Sequence, residues 1–175
     1  MFNNKKGILF WITGLSGSGK TSIAKLLHKK INDASGPTLL ISGDNIRSDF
    51  KLKGYDKNSR EKIGLMYSRF FKRILNQKIN VIFAGIVLIE KVRKYNRKNI
   101  QNYFEIYIKS NINFLKKNIK KVYKKKKFVV GLDIIPEFPK NPHIIVNNNF
   151  LNSKKEIAQL ISKKILKKIP SYYLK

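Results

Sequence analysis

The sequence predicts an α/β fold, a three-layer αβα sandwich around a parallel sheet, and two observations support this prediction. Short apolar, β-prone segments alternate along the chain with segments whose apolar residues recur at helical spacing. Directly after the first apolar segment, residues 14 to 21 read GLSGSGKT, which is the pattern G-x-x-x-x-G-K-[ST]. The 175 residues, 42% of them hydrophobic, are expected to form one domain, residues 1–175, with a sizeable core.

The elements can be placed in chain order. Strands are predicted from the apolar runs at residues 8–12, 38–41, 79–84, 104–108 and 143–146. Helices are predicted directly after the glycine-rich loop, over 59–76, over 90–102, and from the capping box formed by Ser153 and Glu156. The expected apolar faces of three of these helices contain Ile23, Leu26, Leu27 and Ile31, then Ile63, Met66, Phe70 and Ile74, and finally Ile157, Leu160, Ile161 and Ile165.

A lysine-rich segment interrupts this alternation. From Lys109 through Lys127 the chain has nine lysines and no acidic residue. We expect no fully packed element there, but a mobile basic segment that lies over bound phosphates. The lid predicted on this basis covers about residues 109–133.

The formal net charge of +28 suggests a nucleic-acid partner, such as the substrate of a polynucleotide kinase or of an RNA-binding NTPase. Only six of the 38 basic residues are arginine, however, and arginine is the residue that grips phosphates and bases bidentately. The lysine excess is more typical of compositional bias, and a nucleic-acid partner is not expected. A GTP-dependent switch is also disfavoured, because the base-specifying Asn-Lys-x-Asp signature is absent.

Other classes are excluded by composition. Without cysteine the chain has no disulfides and no thiolate metal site. No apolar run reaches the roughly 18 residues that span a membrane, so no membrane association is expected. The short polar start before the first strand leaves no room for a signal peptide, and the cytoplasm is the expected location.

The glycine-rich sequence has the chemistry of a P-loop NTPase-type phosphate-binding loop. Its glycines allow several backbone N–H groups to converge on one anion at the positive end of a helix dipole. Lys20 is expected to reach the β- and γ-phosphates, and the Thr21 hydroxyl is expected to bind Mg²⁺. The predicted ATP-binding residues are Gly14, Leu15, Ser16, Gly17, Ser18, Gly19, Lys20, Thr21 and Ser22.

Asp44 is the candidate catalytic carboxylate. It follows the second predicted strand, at the edge of the sheet where the phosphate-binding loop also lies. A carboxylate there can accept the proton of an acceptor hydroxyl or help to hold Mg²⁺. Arg47, three residues later, can bind an anionic acceptor. The alternative for Asp44 is a helix N-cap, because Gly-Asp-Asn before an apolar residue is good capping chemistry.

Further motifs follow these in a fixed order. Gly43-Asp44-Asn45-Ile46-Arg47 precedes Gly54-Tyr55, and Val122-Tyr123-Lys124-Lys125 precedes Gly131-Leu132-Asp133 and Pro139-Lys140-Asn141-Pro142. With the phosphate-binding loop, this order resembles the adenylylsulfate kinase family over roughly residues 5–150. The resemblance implies transfer of the γ-phosphoryl group of MgATP to the 3′-hydroxyl of a nucleotide, and it implies a homodimer.

The resemblance also implies roles for particular residues. Asp44 is the implied base or Mg²⁺ organiser, and Lys20 is the second catalytic residue. The implied acceptor-binding residues are Arg47, Tyr55, Arg60, Lys127 and Val129. Arg47 and Arg60 would bind the phosphate-like end of the acceptor, and Tyr55 would cover its base. Lys120, Lys121, Tyr123 and Lys124 would belong to the lid.

Departures from the family pattern affect the acceptor. Ser42 stands where an aspartate is usual, Glu61-Lys62-Ile63-Gly64 shortens an acceptor-binding segment, and Lys117-Asn118 replaces the Arg-Asp that opens the lid. The aromatic residue that stacks on adenine is replaced by Val129, or by Phe128 if the register shifts. Loss of a stacking ring costs about 1–3 kcal/mol per base.

These departures indicate a different acceptor base. The stretch from Val92 to Tyr103 and the sequence Val129-Val130-Gly131-Leu132-Asp133 resemble a branch of the family found with capsule-synthesis enzymes. A member of that branch phosphorylates the 3′-hydroxyl of cytidine diphosphoramidate on the way to the O-methyl phosphoramidate of a capsule. The resemblance therefore implies cytidine diphosphoramidate as the favoured acceptor, and adenylylsulfate in sulfate activation is the alternative.

Overall fold

The computed structural model describes residues 6–118, 123 and 127–174. The strands are β1 (Leu9–Thr13), β2 (Thr38–Ser42), β3 (Asn80–Gly85), β4 (Tyr103–Lys109) and β5 (Ile144–Asn147). The helices are α1 (Lys20–Ser35), α2 (Gly43–Asp49), α3 (Lys57–Leu75), α4 (Glu90–Asn99), α5 (Ile112–Asn118) and α6 (Lys154–Leu166). A 3₁₀ turn, Ser171–Tyr173, follows α6.

The five strands form one parallel sheet in the order β2-β3-β1-β4-β5. Phe10 and Ile12 of β1 pack with α1 and α6 on one face, and Leu9 and Trp11 pack with α3 and α4 on the other. Strands that are buried on both faces read as continuous apolar runs, which is why the sequence pattern located them. The predicted αβα sandwich is confirmed.

The carboxyl ends of the strands gather the polar segments at one edge. Thr13 at the end of β1 pairs with Gly85 of β3, and Ser42 at the end of β2 pairs with Ala84 of β3. The phosphate-binding loop and α2 therefore leave the sheet side by side, with only the end of β3 between them.

The predicted apolar face of α3 is only partly confirmed, since Ile63 and Ile74 pack against the core but the other two residues do not. Met66 and Phe70 are exposed, whereas Tyr67 and Phe71 are buried. The reason is Gly64, where an added Cβ would lie 2.9 Å from the side chain of Val92. The missing side chain lets α4 approach α3 closely, and this approach turns the Gly64 side of the helix inward. Leu26 of α1 and Leu160 of α6 are also exposed, at the margins of faces that are otherwise correctly predicted.

Two further expectations need correction. Helix α4 ends at Asn99 instead of residue 102, because the backbone is already extended at Ile100 and the Asn102 amide donates to the Lys6 carbonyl, 2.9 Å away. Residues 112–118 of the lysine-rich segment form α5, although no packed element was expected there. Leu115 anchors this helix, since its side chain is fully buried.

Candidate active site

Glycines shape the phosphate-binding loop between β1 and α1. Gly19 caps the start of α1 with a φ of 87°, a conformation that strains residues with a Cβ. At Gly14 an added Cβ would lie 2.5 Å from the carbonyl oxygen of Ile108 in β4. The loop can therefore lie close against the sheet only because these two positions are glycine.

Lys20 begins α1 and is buried under the loop. Its Nζ donates to the carbonyl oxygen of Leu15, at 2.7 Å. Burial lowers the pKa of Lys20 to about 8, and the charge of Asp44 acts in the opposite direction. Lys20 is thus a poorly hydrated cation at the centre of the loop, and such a cation gains most from a bound polyphosphate.

This lowered pKa predicts a pH dependence of triphosphate binding. As pH rises through about 8, Lys20 of the unliganded protein loses its proton, and binding must then supply one. We expect ATP affinity to fall above this pH, by up to about tenfold per pH unit. Titration calorimetry between pH 7 and 9.5 would measure it, and a constant affinity would contradict uptake of a proton by Lys20 on binding.

Two side chains from distant parts of the chain hold the loop. The Asn148 amide donates to the Ser18 carbonyl at 3.0 Å, and the Tyr123 hydroxyl donates to the Ser16 carbonyl at 2.8 Å. Tyr123 was predicted to belong to the lid, and the structure places it against the loop. Asn148 was not predicted, because nothing in the sequence after β5 marks it as a loop contact. Lys120, Lys121 and Lys124 lie outside the described residues.

Asp44 lies in the first turn of α2, exposed at the edge of the sheet. The N-cap residue of α2 is Ser42, so the capping alternative for Asp44 is wrong. The charge of Asp44 acts on the Lys20 ammonium, so this candidate base lies near the phosphate-binding loop.

Beside Asp44 opens a cavity of about 500 Å³. The residues predicted to bind the acceptor all line it, namely Arg47, Tyr55, Arg60, Lys127 and Val129. Ser16 of the phosphate-binding loop and Asp44 line it as well. The cavity thus joins the phosphate-binding loop to every predicted acceptor residue, and it is large enough for a small molecule.

Two guanidinium groups and one aromatic ring form the basic wall of this cavity. The Cζ atoms of Arg47 and Arg60 lie 4.7 Å and 5.5 Å from the centre of the Tyr55 ring. Arg47 donates to the carbonyl of Gly54 at 3.0 Å, and Arg60 donates to the carbonyl of Tyr55 at 2.6 Å. Burial and the neighbouring charge of Arg47 lower the pKa of Arg60. Two cations that line one cavity favour an anionic ligand there.

A further part of the cavity lining comes from residues after the lysine-rich segment. Val129 is buried, and its backbone N–H donates to the Asp133 carboxylate at 2.8 Å. Phe128 is half exposed, and its carbonyl accepts from Arg60 at 3.2 Å. Both residues line the cavity, so the choice between Val129 and Phe128 as the position facing an acceptor base stays open.

A second cavity, of about 420 Å³, adjoins the phosphate-binding loop at Asn148. The rings of Phe114 and Phe150 line it and stack on each other, with centroids 4.7 Å apart and planes 14° apart. Phe150 was missed at the sequence level, because it is an isolated aromatic residue in a polar loop. Together the two cavities offer separate places beside the loop for two ligands.

Two side-chain oxygens at the starts of α1 and α2 would suit a magnesium ion. Within the described ranges, no three His, Cys, Asp or Glu side chains come together as a metal site. Mg²⁺ typically takes one or two protein oxygens and completes its shell with substrate phosphates and water. The Thr21 hydroxyl at the start of α1 and the Asp44 carboxylate provide oxygens of this kind.

The fold and the site together define a kinase of the P-loop class. A family model described as adenylylsulphate kinase matches residues 6–147. The chain belongs to the adenylylsulfate kinase family, as the motif order predicted, and it is a phosphotransferase with a hydroxyl acceptor.

Individual relatives agree with this assignment. The chain is 34% identical to a cytidine diphosphoramidate kinase of Campylobacter jejuni, over 90% of this chain and 95% of that one. It is 28% identical to a probable adenylyl-sulfate kinase of Pyrococcus abyssi, over 91% and 95%. The fold matches that of the Mycobacterium tuberculosis APS kinase in complex with AMPPNP and APS, with a TM-score of 0.80, 24% identity, and coverage of 92% and 98%.

Helix length and apolar character bear on membrane crossing. In the part of the chain that the structure describes, no helix is both long enough and apolar enough to cross a membrane.

Proposed function

We propose that this protein uses ATP to phosphorylate the 3′-hydroxyl of a nucleotide. The observation that carries the proposal is the single cavity that joins Asp44 and the phosphate-binding loop to Arg47, Tyr55 and Arg60. An anionic nucleotide bound by the two arginines can present a hydroxyl to Asp44 while ATP occupies the loop. The hydroxyl that accepts the phosphoryl group and the ATP that donates it then meet at the edge of the sheet where α1 and α2 begin.

In the proposed reaction, one proton moves to Asp44, one P–O bond forms and one P–O bond breaks. Asp44 accepts the proton of the 3′-hydroxyl as the hydroxyl oxygen bonds to the γ-phosphorus. The bond from the γ-phosphorus to the β,γ-bridging oxygen breaks, and ADP leaves with that electron pair. Lys20 stabilises negative charge on the transferring group. Mg²⁺, held by Thr21 and Asp44, would neutralise charge on the phosphates when bound.

The donor nucleotide fits the second cavity. The stacked rings of Phe114 and Phe150 offer an aromatic surface for a base, next to the loop that would hold its phosphates. Asn148 links the two parts, since it lines this cavity and also donates to Ser18 of the loop. ATP in this cavity leaves the larger one free for the acceptor.

For the acceptor we favour cytidine diphosphoramidate. The 34% identity to a cytidine diphosphoramidate kinase supports this choice. Val129 supports it as well, because a valine is a weaker stacking partner than an aromatic ring and suits a smaller base. On this proposal the protein supplies a 3′-phosphorylated cytidine nucleotide for the phosphoramidate of a capsule.

Adenylylsulfate is the second candidate acceptor. The family model and the relatives named adenylyl-sulfate kinase favour it. A cavity of about 500 Å³ bordered by Tyr55 and the ring of Phe128 gives a purine two aromatic contacts if Phe128 faces the base. The reaction chemistry is the same for both acceptors, so the residues at the cavity wall must determine the choice.

A transfer assay with both acceptors tests the proposal. With MgATP, we expect kcat/KM for cytidine diphosphoramidate to exceed that for adenylylsulfate by at least about tenfold, the effect of about 1.4 kcal/mol. The reverse preference would make adenylylsulfate the acceptor and Val129 a tolerated change. Turnover of neither nucleotide would contradict the proposed function.

Tyr55→Ala tests the acceptor wall. We expect the acceptor KM to rise about tenfold, because the variant loses the stacking surface and the ring beneath the two arginines. The KM for ATP should stay unchanged. Tyr95→Ala is the matched control, since Tyr95 also lies under an arginine, Arg69, but away from the cavity. An unchanged acceptor KM in Tyr55→Ala would place the acceptor base elsewhere.

A further inference from the structure

Tyr67 of α3 has a feature that none of the assigned roles explains. Its side chain is only 2% exposed, yet it lines the acceptor cavity. In the described part of the chain its hydroxyl has no hydrogen-bond partner. A buried hydroxyl without a partner is destabilising by about 1–3 kcal/mol, so a tyrosine is unfavourable here unless a ligand completes the bond.

The ring of Tyr67 is held firmly. It stacks on Phe71, with ring centroids 6.1 Å apart and planes 18° apart. Its centroid also lies 5.4 Å from that of the Phe83 ring in β3. Because Phe83 also lines the cavity, Tyr67 forms part of its sheet side. Two helical turns separate Tyr67 from Arg60, so both residues lie on the same face of α3.

The charged groups that act on Tyr67 belong to the same cavity. They are Arg47 and Asp44. Burial is the main influence, and it raises the pKa of the Tyr67 hydroxyl to about 12. The hydroxyl therefore stays neutral at physiological pH and can both donate and accept a hydrogen bond. Arg47 and Arg60 can only donate.

We propose that the Tyr67 hydroxyl hydrogen-bonds the anionic end of the acceptor nucleotide, beside Arg47, from the sheet side of the cavity. This inference rests on the proposed function and adds a specificity-determining residue to it. A guanidinium pair satisfies the oxygens of a terminal phosphate or sulfate but has no acceptor for an N–H group. The Tyr67 hydroxyl provides one, so it suits an acceptor whose terminal group is a phosphoramidate.

Tyr67→Phe tests the inference, because it removes the hydroxyl and keeps the ring packing. With cytidine diphosphoramidate we expect the acceptor KM to rise about tenfold, the effect of one hydrogen bond to a charged group. The KM for ATP and kcat should change less than about twofold. The melting temperature should not fall, because the variant removes a buried group that has no partner in the free protein.

Tyr103→Phe is the matched control. Tyr103 is also buried but lines a separate cavity with Arg97 and His143, so its variant should keep the acceptor KM. An active wild type together with an unchanged acceptor KM in Tyr67→Phe would overturn this inference alone. A wild type inactive with both acceptors would overturn the proposed function and this inference with it.

Discussion

Lys20→Ala is expected to lower kcat/KM by roughly a thousandfold or more. Lys20 is buried beneath the loop, and its Nζ already lies 2.7 Å from a loop carbonyl. A charge fixed in this environment needs little reorganisation to stabilise a transferring phosphoryl group, and the loss of such a group typically costs 10²–10³ or more in rate. Steady-state kinetics with saturating MgATP would measure the effect.

The control for this variant is Lys25→Ala. Lys25 lies on the exposed side of α1 and does not border the loop. Its replacement should keep activity within about twofold, as expected for a surface substitution. Retained activity in Lys20→Ala would remove the phosphate-loop mechanism altogether.

Asp44→Asn is expected to lower kcat by roughly 10²–10⁴-fold, the range for loss of a general base. Affinity for ATP should change much less, because the loop and Lys20 bind the triphosphate and the amide of the variant keeps one oxygen for Mg²⁺. The structure also predicts how much stability the variant loses. Since Ser42 is the N-cap of α2, replacement of Asp44 should reduce stability only by the 0.3–1 kcal/mol typical of a first-turn charge.

Asp49→Asn is the matched control for Asp44. Asp49 belongs to the same helix and is exposed, but it lies outside the cavity. Single-turnover kinetics and thermal melts on both variants separate the two roles. Loss of thermal stability with normal kcat in Asp44→Asn would show that Asp44 is structural.

The sequence was most informative where one local pattern determines the structure. The apolar run before the loop, the glycines and Lys20 act within a short stretch, so β1, the loop and α1 could be predicted together. Arg47 was identified from its position three residues after Asp44, and Tyr55 and Arg60 were identified through the family resemblance. The structure gathers all three around one cavity. Their catalytic and binding roles stay predictions that the variants above can test.

Tertiary contacts determine the features that were missed. Helix α5 has lysines on its surface, and the burial of Leu115 in a cluster with Leu15 and Val130 stabilises it, together with the stack of Phe114 on Phe150. The inward face of α3 depends on the approach of Val92 to Gly64, which no helical periodicity reveals. For this reason Met66 was expected inside, and Tyr67, which lines the cavity, was overlooked.

The most direct test of phosphoryl transfer to a 3′-hydroxyl compares an acceptor with its 3′-deoxy analogue. The protein would be incubated with MgATP and either cytidine diphosphoramidate or 3′-deoxycytidine diphosphoramidate, and ³¹P NMR would follow ADP and any new phosphate monoester. We predict one ADP and one 3′-phosphate per acceptor consumed, and no transfer to the deoxy compound. A phosphorylated product from the 3′-deoxy analogue, or equal ADP release without any acceptor, would contradict this account.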